Sequence, residues 1–517
     1  MENMKNHRIL SMLLVLTMLV FSMIMPVAGV SAAEKDTLIV GVGSEFSQLV
    51  PLSSNTAVSN RDGIAIFAMY DPLIWRDQIT GELQPCIAES WEMSDDSLEC
   101  TLYLRHDVTF HNGTPMTAED VAWTLNLLPD CPNVSTQNYP GFNHAEAVDD
   151  YTVKIYMDAP FAALMPGLAA YHIVPLSKAY FDEVGWEGYQ AAPIGTGPYK
   201  FVSRSIGANL KMEAYDGYWG DKAKIKNFTL RILSDTNSQM LSLEVGEIDA
   251  MYNSSIQNVT RLDTSKGDLT WTYSPAMITS VLMFNTNKGN IMLDENLRKA
   301  ILSSISYDGI NQAINLGYTV RATSMLPPGT NDRPADGTYS DPLPQDIDAA
   351  KAYLAASDYD GSTLRMICIS GSKEANILTI ILGDLQAIGI NAEVIPVDGA
   401  TYMTYAMSGE YEFSIYNIMP SLFDANLLMQ MYDPKSSLTA NSAIPDKTTL
   451  EDLGQQTITE TDHEKRQALF AQMMDIINVH AYNGYLYYDV MTMAYDSALQ
   501  NVVAIPSSNY RVSNWSW

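Results

Sequence analysis

The residues that could do chemistry in this chain are few and scattered. Seven histidines occur among 517 residues, and the two that lie closest together, His106 and His111, stand five positions apart. We interpret this pair as packing or surface residues rather than metal ligands. The sequence contains no Gly-x-Ser-x-Gly, His-Glu-x-x-His or Walker motif. Catalysis therefore has little support from the residue types and their spacing.

Two segments match ligand-binding loops only in part. Asp358-Tyr359-Asp360-Gly361 begins like a calcium loop, but Ile369 stands eleven positions after Asp358, where the loop needs a bidentate Glu. Residues 193–201, PIGTGPYKF, are glycine-rich like a phosphate loop, but the Gly-Lys-Ser/Thr ending is absent and a strand is predicted to follow. The glycines indicate backbone positions that bulkier residues cannot adopt. We expect no metal and no cofactor.

The first 32 residues have the pattern of an export signal. Lys5 and Arg8 precede an apolar run from 9 to 25, Pro26 breaks the run, and small residues follow at 30–32. The alternative is a retained membrane anchor. No other segment has the roughly 18 apolar residues that a membrane span needs. We therefore expect an exported protein, located in the periplasm or at the cell surface of a bacterium or archaeon.

The net charge limits the partners that this protein is expected to bind, and the positions of the cysteines limit the roles that they can have. A formal charge of −30 argues against nucleic acid and anionic lipid as partners. Cys86, Cys100, Cys131 and Cys368 match no zinc spacing, and none stands near residue 33 to carry a lipid anchor. Because Cys100 alternates with leucines, we expect it to point into a core. A Cys86–Cys100 disulfide is the alternative.

Residues 104–128, LRHDVTFHNGTPMTAEDVAWTLNLL, predict a strand, a turn and a helix. Asn112-Gly113 is a strong turn dipeptide, because both residues tolerate positive φ. Thr117 has the character of an N-cap, with Asp120 three positions later, where its carboxylate faces free backbone N–H groups. Apolar residues at helical spacing follow from Val121, and Pro129 ends the predicted helix at 128.

This segment resembles the signature of the extracellular solute-binding proteins of family 5, the receptors of peptide and nickel ABC importers. Three further segments resemble family motifs in the same order: PIGTGPYKF at 193–201, a run from LKMEAYDGYWG to QMLSLEVGEIDA within 210–250, and VLMFNT at 281–286. The resemblance extends over nearly all of residues 37–517. It implies an α/β, two-lobed periplasmic-binding-protein-like fold of type II, large and with an extra subdomain, whose ligand cleft lies between the lobes.

The resemblance also implies the domain limits. Lobe I would comprise residues 33–285 and 490–517 with an inserted subdomain at about 84–195, and lobe II residues 286–489. Within lobe II, a strand at 364–369, a helix at 375–388 and a strand at 390–396 predict one βαβ unit. Two short strands, 485–488 and 491–494, are predicted to return the chain to lobe I.

A two-lobed receptor captures its solute by hinge closure. The resemblance implies a peptide-like solute, delivered by a monomer to a membrane permease whose ATPase drives import, and no enzymatic activity. Receptors for a nickel chelate, a metallophore or an oligosaccharide are alternatives on the same fold. An exported hydrolase, and a signalling or chaperone-like receptor, are alternatives of other classes.

Five candidate ligand-binding residues follow from matching this chain to the family's motifs. The loop after the first strand contacts ligand in the family, and here that loop contains Ser44, Glu45 and Phe46. The strand EFSIYNIM at 412–419 matches a family segment that supplies an aromatic wall, which places Tyr416 and Asn417 near the ligand.

The charged candidates are less regular. Peptide receptors of the family place an Asp after this strand to pair with the free amine of the peptide, but this chain has Met419-Pro420-Ser421 there, and Asp424 follows a few residues late. A buried ammonium needs a partner. Either Asp424 or Glu45 therefore supplies it, or the ligand has no free amine. Lys373, just before the helix at 375–388, could bind a ligand carboxylate.

Overall fold

The computed structural model describes seven ranges of the chain: 35–52, 62–131, 139–252, 254–420, 422–432, 442–507 and 510–517. The predicted signal peptide, residues 1–32, and Ser421 lie outside the described residues. Within these ranges no helix combines the length and the apolar character that crossing a membrane requires.

The described strands form three sheets. In chain order they are β1 (Thr37–Val42), β2 (Ile74–Arg76), β3 (Leu83–Pro85), β4 (Ala88–Met93), β5 (Glu99–Leu104), β6 (Phe142–Asp149), β7 (Thr152–Met157), β8 (Tyr199–Ser205), β9 (Asn209–Ala214), β10 (Asn227–Ile232), β11 (Ala250–Tyr252), β12 (Leu269–Phe284), β13 (Leu364–Ile369), β14 (Ala392–Val397), β15 (Phe413–Ile418) and β16 (Asn483–Asp496).

The described α-helices cover the sheets and join the strands. They are α1 (Gly63–Met69), α2 (Ala118–Leu125), α3 (Leu164–Leu168), α4 (Lys178–Ala191), α5 (Thr236–Glu244), α6 (Ile256–Val259), α7 (Glu295–Ser304), α8 (Tyr307–Asn315), α9 (Ile347–Ala355), α10 (Lys373–Ile388), α11 (Gly399–Ser408), α12 (Leu427–Tyr432), α13 (Lys447–Thr459) and α14 (His463–Val479). Short 3-10 turns occur at Leu128–Asp130, Ile291–Leu293 and Val512–Asn514.

The largest sheet runs through both lobes. Its order is β14-β13-β15-β12-β16-β11-β1-β10-β9-β8. The long antiparallel pair β12 and β16 stands in the middle, with the strands of lobe II on one side and those of lobe I on the other. Two continuous strands thus connect the lobes: β16 pairs with β11 of lobe I, and β12 pairs with β15 of lobe II.

The pair β12–β16 changes its neighbours at one point. Residues 269–275 of β12 pair with residues 490–496 of β16, and this part of β16 also pairs with β11 of lobe I. The half from 279 to 284 pairs with β15 of lobe II. The register shifts between Pro275 and Thr279, and such an irregularity in a ladder is where strands bend. The predicted break of β16 into two short strands is wrong, because β16 is one strand from Asn483 to Asp496, although Asp489 has no partner in the ladder at the register shift.

A separate four-stranded antiparallel sheet, β4-β5-β7-β6, lies in the region predicted as the inserted subdomain. Helix α2 packs against it. The Asp120 carboxylate accepts the N–H of Thr117 at 3.0 Å and that of Lys178 at 2.9 Å, which confirms the predicted role at the helix start. The helix is shorter than predicted and ends at Leu125.

Cys100 is fully buried, as predicted. All four cysteines are free thiols, so the alternative prediction of a Cys86–Cys100 disulfide is wrong.

The βαβ unit predicted in lobe II is confirmed. Strands β13 and β14 pair in parallel from Leu364↔Ala392 to Ile369↔Val397, and α10 connects them. Ser372 caps the start of α10 by accepting the N–H of Ala375, and Gly389 ends the helix with φ +91°. The apolar side chains on the inner face of α10 are buried in the core of lobe II.

Two of the predicted motif segments meet through one imidazole. His111, in the loop before α2, accepts the N–H of Gly195 on Nδ1 at 3.1 Å. Its Nε2–H donates to the carbonyl of Gly197 at 3.0 Å. Gly197 in turn donates its N–H to the carbonyl of Met69, the last residue of α1, at 2.9 Å. The glycine-rich segment therefore joins the four-stranded sheet to the core of lobe I, and it is no phosphate loop.

The glycines of this segment have a steric purpose. A Cβ at residue 195 would lie 2.1 Å from the backbone oxygen of Met69, and a Cβ at 197 would lie 2.5 Å from the carbonyl carbon of the same residue. Neither contact can be relieved by rotating a side chain, because both involve backbone atoms. Only glycine lets the two segments approach this closely.

We expect Gly195→Ala to destabilise the protein by about 1–3 kcal/mol or more, because the added methyl overpacks a backbone contact. The matched control is Gly383→Ala in the middle of α10, where the new Cβ would have no neighbouring atom within 4 Å; its higher helix propensity should stabilise by about 0.5–1 kcal/mol. Urea unfolding measures both. Equal stability of the Gly195→Ala variant and the parent would contradict the packing argument.

Acid should weaken the fold through buried imidazoles. Burial lowers the pKa of His172, which is 4% exposed, to about 4. An unfolded chain binds that proton near pH 6.5, so between pH 6.5 and 4 the unfolded state holds more protons and stability falls as pH falls. The loss should reach about 3 kcal/mol at pH 4. His172→Asn should flatten the pH profile of the unfolding free energy between pH 6.5 and 4, which urea unfolding at a series of pH values measures. An unchanged profile would contradict the argument.

Candidate functional site

The candidate site lies where three parallel strands of lobe I end. Strand β1 pairs in parallel with β10 on one side and with β11 on the other, so the carboxyl ends of all three lie at one edge of the sheet. The chain leaves that edge through the loops at 43–46 and 233–235 and, after β11, through residues 254–255. Ligands of open α/β sheets bind at such an edge, where loops from neighbouring strands diverge.

These loops enclose a cavity of about 400 Å³, which we call the lobe I cavity. Its wall is mainly hydroxyl, amide and backbone groups, and Glu45 is its one charged side chain among the described residues. The lining residues are Val42, Gly43, Ser44, Glu45, Phe46, Ser234, Thr236, Gln239, Tyr252, Ser254, Ser255 and Asn258. A wall of this kind offers many neutral hydrogen bonds to a polar solute.

Glu45 is held by its own lobe. Arg204 donates to its Oε1 at 2.8 Å, and the N–H of Gly207 donates to its Oε2. Burial by itself raises the pKa of Glu45, but the hydrogen bonds from Gly207 and Arg204 outweigh it, so the pKa lies below its ordinary value. The carboxylate is charged at neutral pH, and Arg204 already neutralises it.

A second cavity of about 410 Å³ lies between lobe I, lobe II and the connecting strands, and we call it the hinge cavity. Its lining residues are Ser254, Ser255, Ile256, Gln257, Asn258, Ile278, Ile314, Asn315, Lys373, Asn376, Asp489, Val490 and Met491. Ser254, Ser255 and Asn258 line both cavities. The two cavities therefore adjoin along the start of α6, and we call them together the cleft.

The charged feature of the hinge cavity is an ion pair. Lys373, the first residue of α10, donates from Nζ to both carboxylate oxygens of Asp489 at 3.0 Å. The ammonium also lies 4.8 Å from the centre of the Tyr487 ring. Burial by itself lowers the pKa of Lys373, but Asp489 and Tyr487 outweigh it, and the pKa lies above its ordinary value. The pair joins lobe II to the connecting strand β16.

The structure separates the seven residues predicted for the site. Ser44, Glu45 and Phe46 line the lobe I cavity, and Lys373 lines the hinge cavity. Tyr416 and Asn417, on β15, line neither. Asn417 is exposed and donates to Glu374 Oε1 at 2.7 Å, and the Tyr416 ring packs 6.3 Å from that of Tyr402.

Asp424 has a different partner from the predicted ligand amine. Its two oxygens accept from Arg466 at 2.7 and 2.8 Å, and both side chains have no solvent exposure. Asn331 donates to the same carboxylate at 2.9 Å. Asp424 therefore belongs to a buried ion-pair network of lobe II that also includes Asp332. It offers no free carboxylate to a solute, in contrast to its predicted role as the partner of a ligand amine.

The lobes also touch outside the connecting strands. Arg76 of lobe I donates to the carbonyl of Gly329 at 2.7 Å and lies over the ring of Phe423. The N–H of Ala162 donates to the carbonyl of Ile458 at 2.9 Å. The lobes are thus in direct contact, and the cleft is bounded by both of them.

Sequence reasoning missed two parts of the site. The turn at 254–258 carries no motif that marks it as functional, although it lines both cavities. Asp489 was overlooked because it stands between two predicted short strands, YLYY and MTMA. A charged residue inside an otherwise apolar and aromatic strand was the available signal, because such a residue needs a partner. In the described part of the chain, no three His, Cys, Asp or Glu residues converge as metal ligands.

Residues 82–439 match the model of the bacterial extracellular solute-binding proteins, family 5. The chain belongs to this family. Its role is that of a solute-binding receptor of an ABC importer, and its family consists of binding proteins. The architecture implied by the sequence motifs, two lobes around a cleft, is thereby confirmed.

Curated relatives of this family 5 receptor are similar over most of their length. The dipeptide-binding protein of Escherichia coli is 25% identical over 450 residues, which cover 80% of this chain and 82% of the relative. The heme-binding protein A of Haemophilus influenzae is 24% identical, with 80% of each chain covered. The glutathione-binding protein GsiB of Escherichia coli is 27% identical, over 72% of this chain and 71% of the relative.

Solved structures show the same fold. The ABC transporter substrate-binding protein CtaP of Listeria monocytogenes superposes with a TM-score of 0.83 at 24% identity, covering 93% of this chain and 99% of the other. NikA of Brucella suis, solved with Fe(III)-EDTA, gives a TM-score of 0.83 at 22% identity, with the same coverage of both chains.

We expect Asp424→Asn to reduce stability and leave solute binding intact in the protein that folds. The substitution replaces one of the two carboxylates that bind Arg466 with a neutral amide, while Asp332 still compensates the guanidinium, so the expected loss is that of a hydrogen bond to a charged group, about 1.5–3 kcal/mol. Urea unfolding and binding titrations measure the two effects separately. A variant of unchanged stability with lost binding would return Asp424 to the ligand site.

Proposed function

We propose that this protein captures a short peptide-like solute in the cleft between its lobes and hands it to the permease and ATPase of an ABC importer. The observation that carries the proposal is the cleft itself. The residues after β11 line the lobe I cavity together with the loops after β1 and β10, and they line the hinge cavity together with the start of α10 in lobe II. A solute that contacts both faces favours the closed arrangement.

The chemistry of the wall supports a small polar solute. The two cavities measure about 400 and 410 Å³, and serine, threonine, asparagine and glutamine side chains recur along them. Such groups pair with amide and carboxylate groups rather than with an extended apolar ring system. The names of two relatives, a dipeptide-binding and a glutathione-binding protein, agree with this class. Nickel-chelate, metallophore and oligosaccharide binding are the alternatives, and a ligand screen separates them.

We infer that the cleft has no catalytic role. A hydrolase site needs a nucleophile and a base within hydrogen-bond reach. No histidine is among the described residues that line the two cavities. The half-buried His111 and the buried His172 are engaged elsewhere in lobe I, by Gly195 and Tyr139. The lining hydroxyls therefore lack a histidine base, and the other ionisable groups of the wall, Glu45, Lys373 and Asp489, are engaged in ion pairs.

The proposal also covers where the protein is located, whether it is a monomer, and where its two lobes begin and end. We propose an exported monomer in the periplasm or at the cell surface, since its family is described as extracellular. The limits 33–285 with 490–517 for lobe I and 286–489 for lobe II stay a prediction. In the sheet, the pairing partners of β12 change at 276–278.

The test identifies the solute directly. Purified protein is unfolded, and the released small molecules are identified by mass spectrometry. The refolded, ligand-free protein is then screened by thermal shift against pools of short peptides, metal chelates and oligosaccharides. A binder present at about 100 times its Kd should stabilise the fold by about 2.7 kcal/mol. We expect peptides to do so. Stabilisation by metal chelates or sugars alone would contradict the peptide assignment.

A cleft variant ties the binding to the site. Asn258 lines both cavities, so Asn258→Trp should fill part of each and abolish the thermal shift. The matched control is Asn143→Trp on the exposed strand β6, which should leave the shift unchanged. Equal binding by both variants would place the solute outside this cleft.

A further inference from the structure

The cleft contains very little net charge. Of the described residues that line its two cavities, Lys373 is the one cation, and Glu45 and Asp489 are the anions. Arg204 neutralises Glu45 from within lobe I. The charges that remain for a solute to meet are Lys373 and Asp489, which stand together in the wall of the hinge cavity.

This ion pair is open to the cavity on one side. The Lys373 side chain keeps 29% of its surface exposed and the Asp489 side chain 20%. Asp489 Oδ1 accepts a second hydrogen bond, from the N–H of Val490 at 2.9 Å, while Oδ2 accepts from the ammonium of Lys373. A carboxylate oxygen has two lone pairs and an ammonium has three donors, so both groups can bind a further partner.

We propose that Lys373 and Asp489 together recognise a free α-amino-acid head group, that is, an ammonium and a carboxylate carried by one carbon of the solute. This inference rests on the proposed function and names the chemical feature that the cleft selects. The solute carboxylate binds Lys373 Nζ, and the solute ammonium binds Asp489 Oδ2.

The spacing of the charges supports this arrangement. The ammonium and carboxylate oxygens of the protein pair are 3.0 Å apart. Bond lengths of about 1.5 Å separate the nitrogen and the carboxylate oxygens of an α-amino acid by about 3 Å as well. Placed head to tail, the two pairs form a ring of four alternating charges. Each charge then has opposite charges on both sides.

The ring also explains what the pair would reject. A solute with only a carboxylate would compete with Asp489 for Lys373 and leave an anion poorly compensated in a half-buried wall. A solute with only an ammonium would do the same to Lys373. Uncompensated charge in such a place is costly. A linear α-peptide places its terminal ammonium and carboxylate on different residues, so it closes no such ring and should bind more weakly than a peptide-like solute that carries both groups on one carbon.

Two isomeric probes test this feature with everything else held constant. γ-L-glutamyl-L-alanine carries an ammonium and a carboxylate on one carbon, whereas α-L-glutamyl-L-alanine does not. They have the same formula and the same net charge. Titration calorimetry on the ligand-free full chain should show the γ isomer binding at least tenfold more tightly. Equal affinities, tighter binding of the α isomer, or no binding of either would overturn the proposal.

Variants assign the preference to the ion pair. Lys373→Gln and Asp489→Asn should each remove the difference between the isomers, with folding checked by circular dichroism. Lys178→Gln breaks an exposed Lys178–Asp182 pair on α4 and should leave the difference intact. If the pair only braces lobe II against β16, Lys373→Gln lowers stability and the preference for the γ isomer persists, which would overturn the proposal. The peptide-pool screen is independent, so the proposed function can stand if this feature fails.

Discussion

The shared pairing of β12 and β16 is the constraint on which the rest of the structure depends. Both strands pass from one lobe into the other within a single ladder, so the lobes cannot separate without breaking backbone hydrogen bonds. The pairing of β12 with β16 is irregular in one short stretch, where the register shifts at 276–278 next to Asp489. The lobes therefore face each other across a fixed line, and the cleft lies beside that line.

Buried charge is organised so that each lobe neutralises its own. Arg466 binds two aspartates within lobe II, and Arg204 binds Glu45 within lobe I. An isolated buried charge costs several kcal/mol, and in these pairs each lobe compensates its charge with a residue of its own. The pair of Lys373 and Asp489 differs from them, because it stands between a lobe and the connecting strand and opens into the cavity. A solute can reach this pair and not the buried Arg466 network.

The glycine-rich segment at 193–201 shows how a motif can be structural. His111 binds Gly195 and Gly197, and the second glycine binds the end of α1. The contact tolerates no side chain at either glycine, since backbone atoms stand where a Cβ would lie. It positions the four-stranded sheet against lobe I and takes no part in the lining of the cleft.

The sequence by itself determined the family, the two-lobed α/β fold and most of the elements. Features that depend only on residues close together in the sequence could be predicted: the turn at Asn112-Gly113, Asp120 at the start of α2, and the helix α10 from the helical spacing of its apolar residues. Only the tertiary structure decided which charges are free. Asp424 looked available until Arg466, 42 residues later in the chain, was placed against it. Asp489 looked like a break between strands until Lys373, 116 residues earlier, was placed beside it. Ion pairs depend on distances in space, and sequence spacing carries no information about them across so many residues.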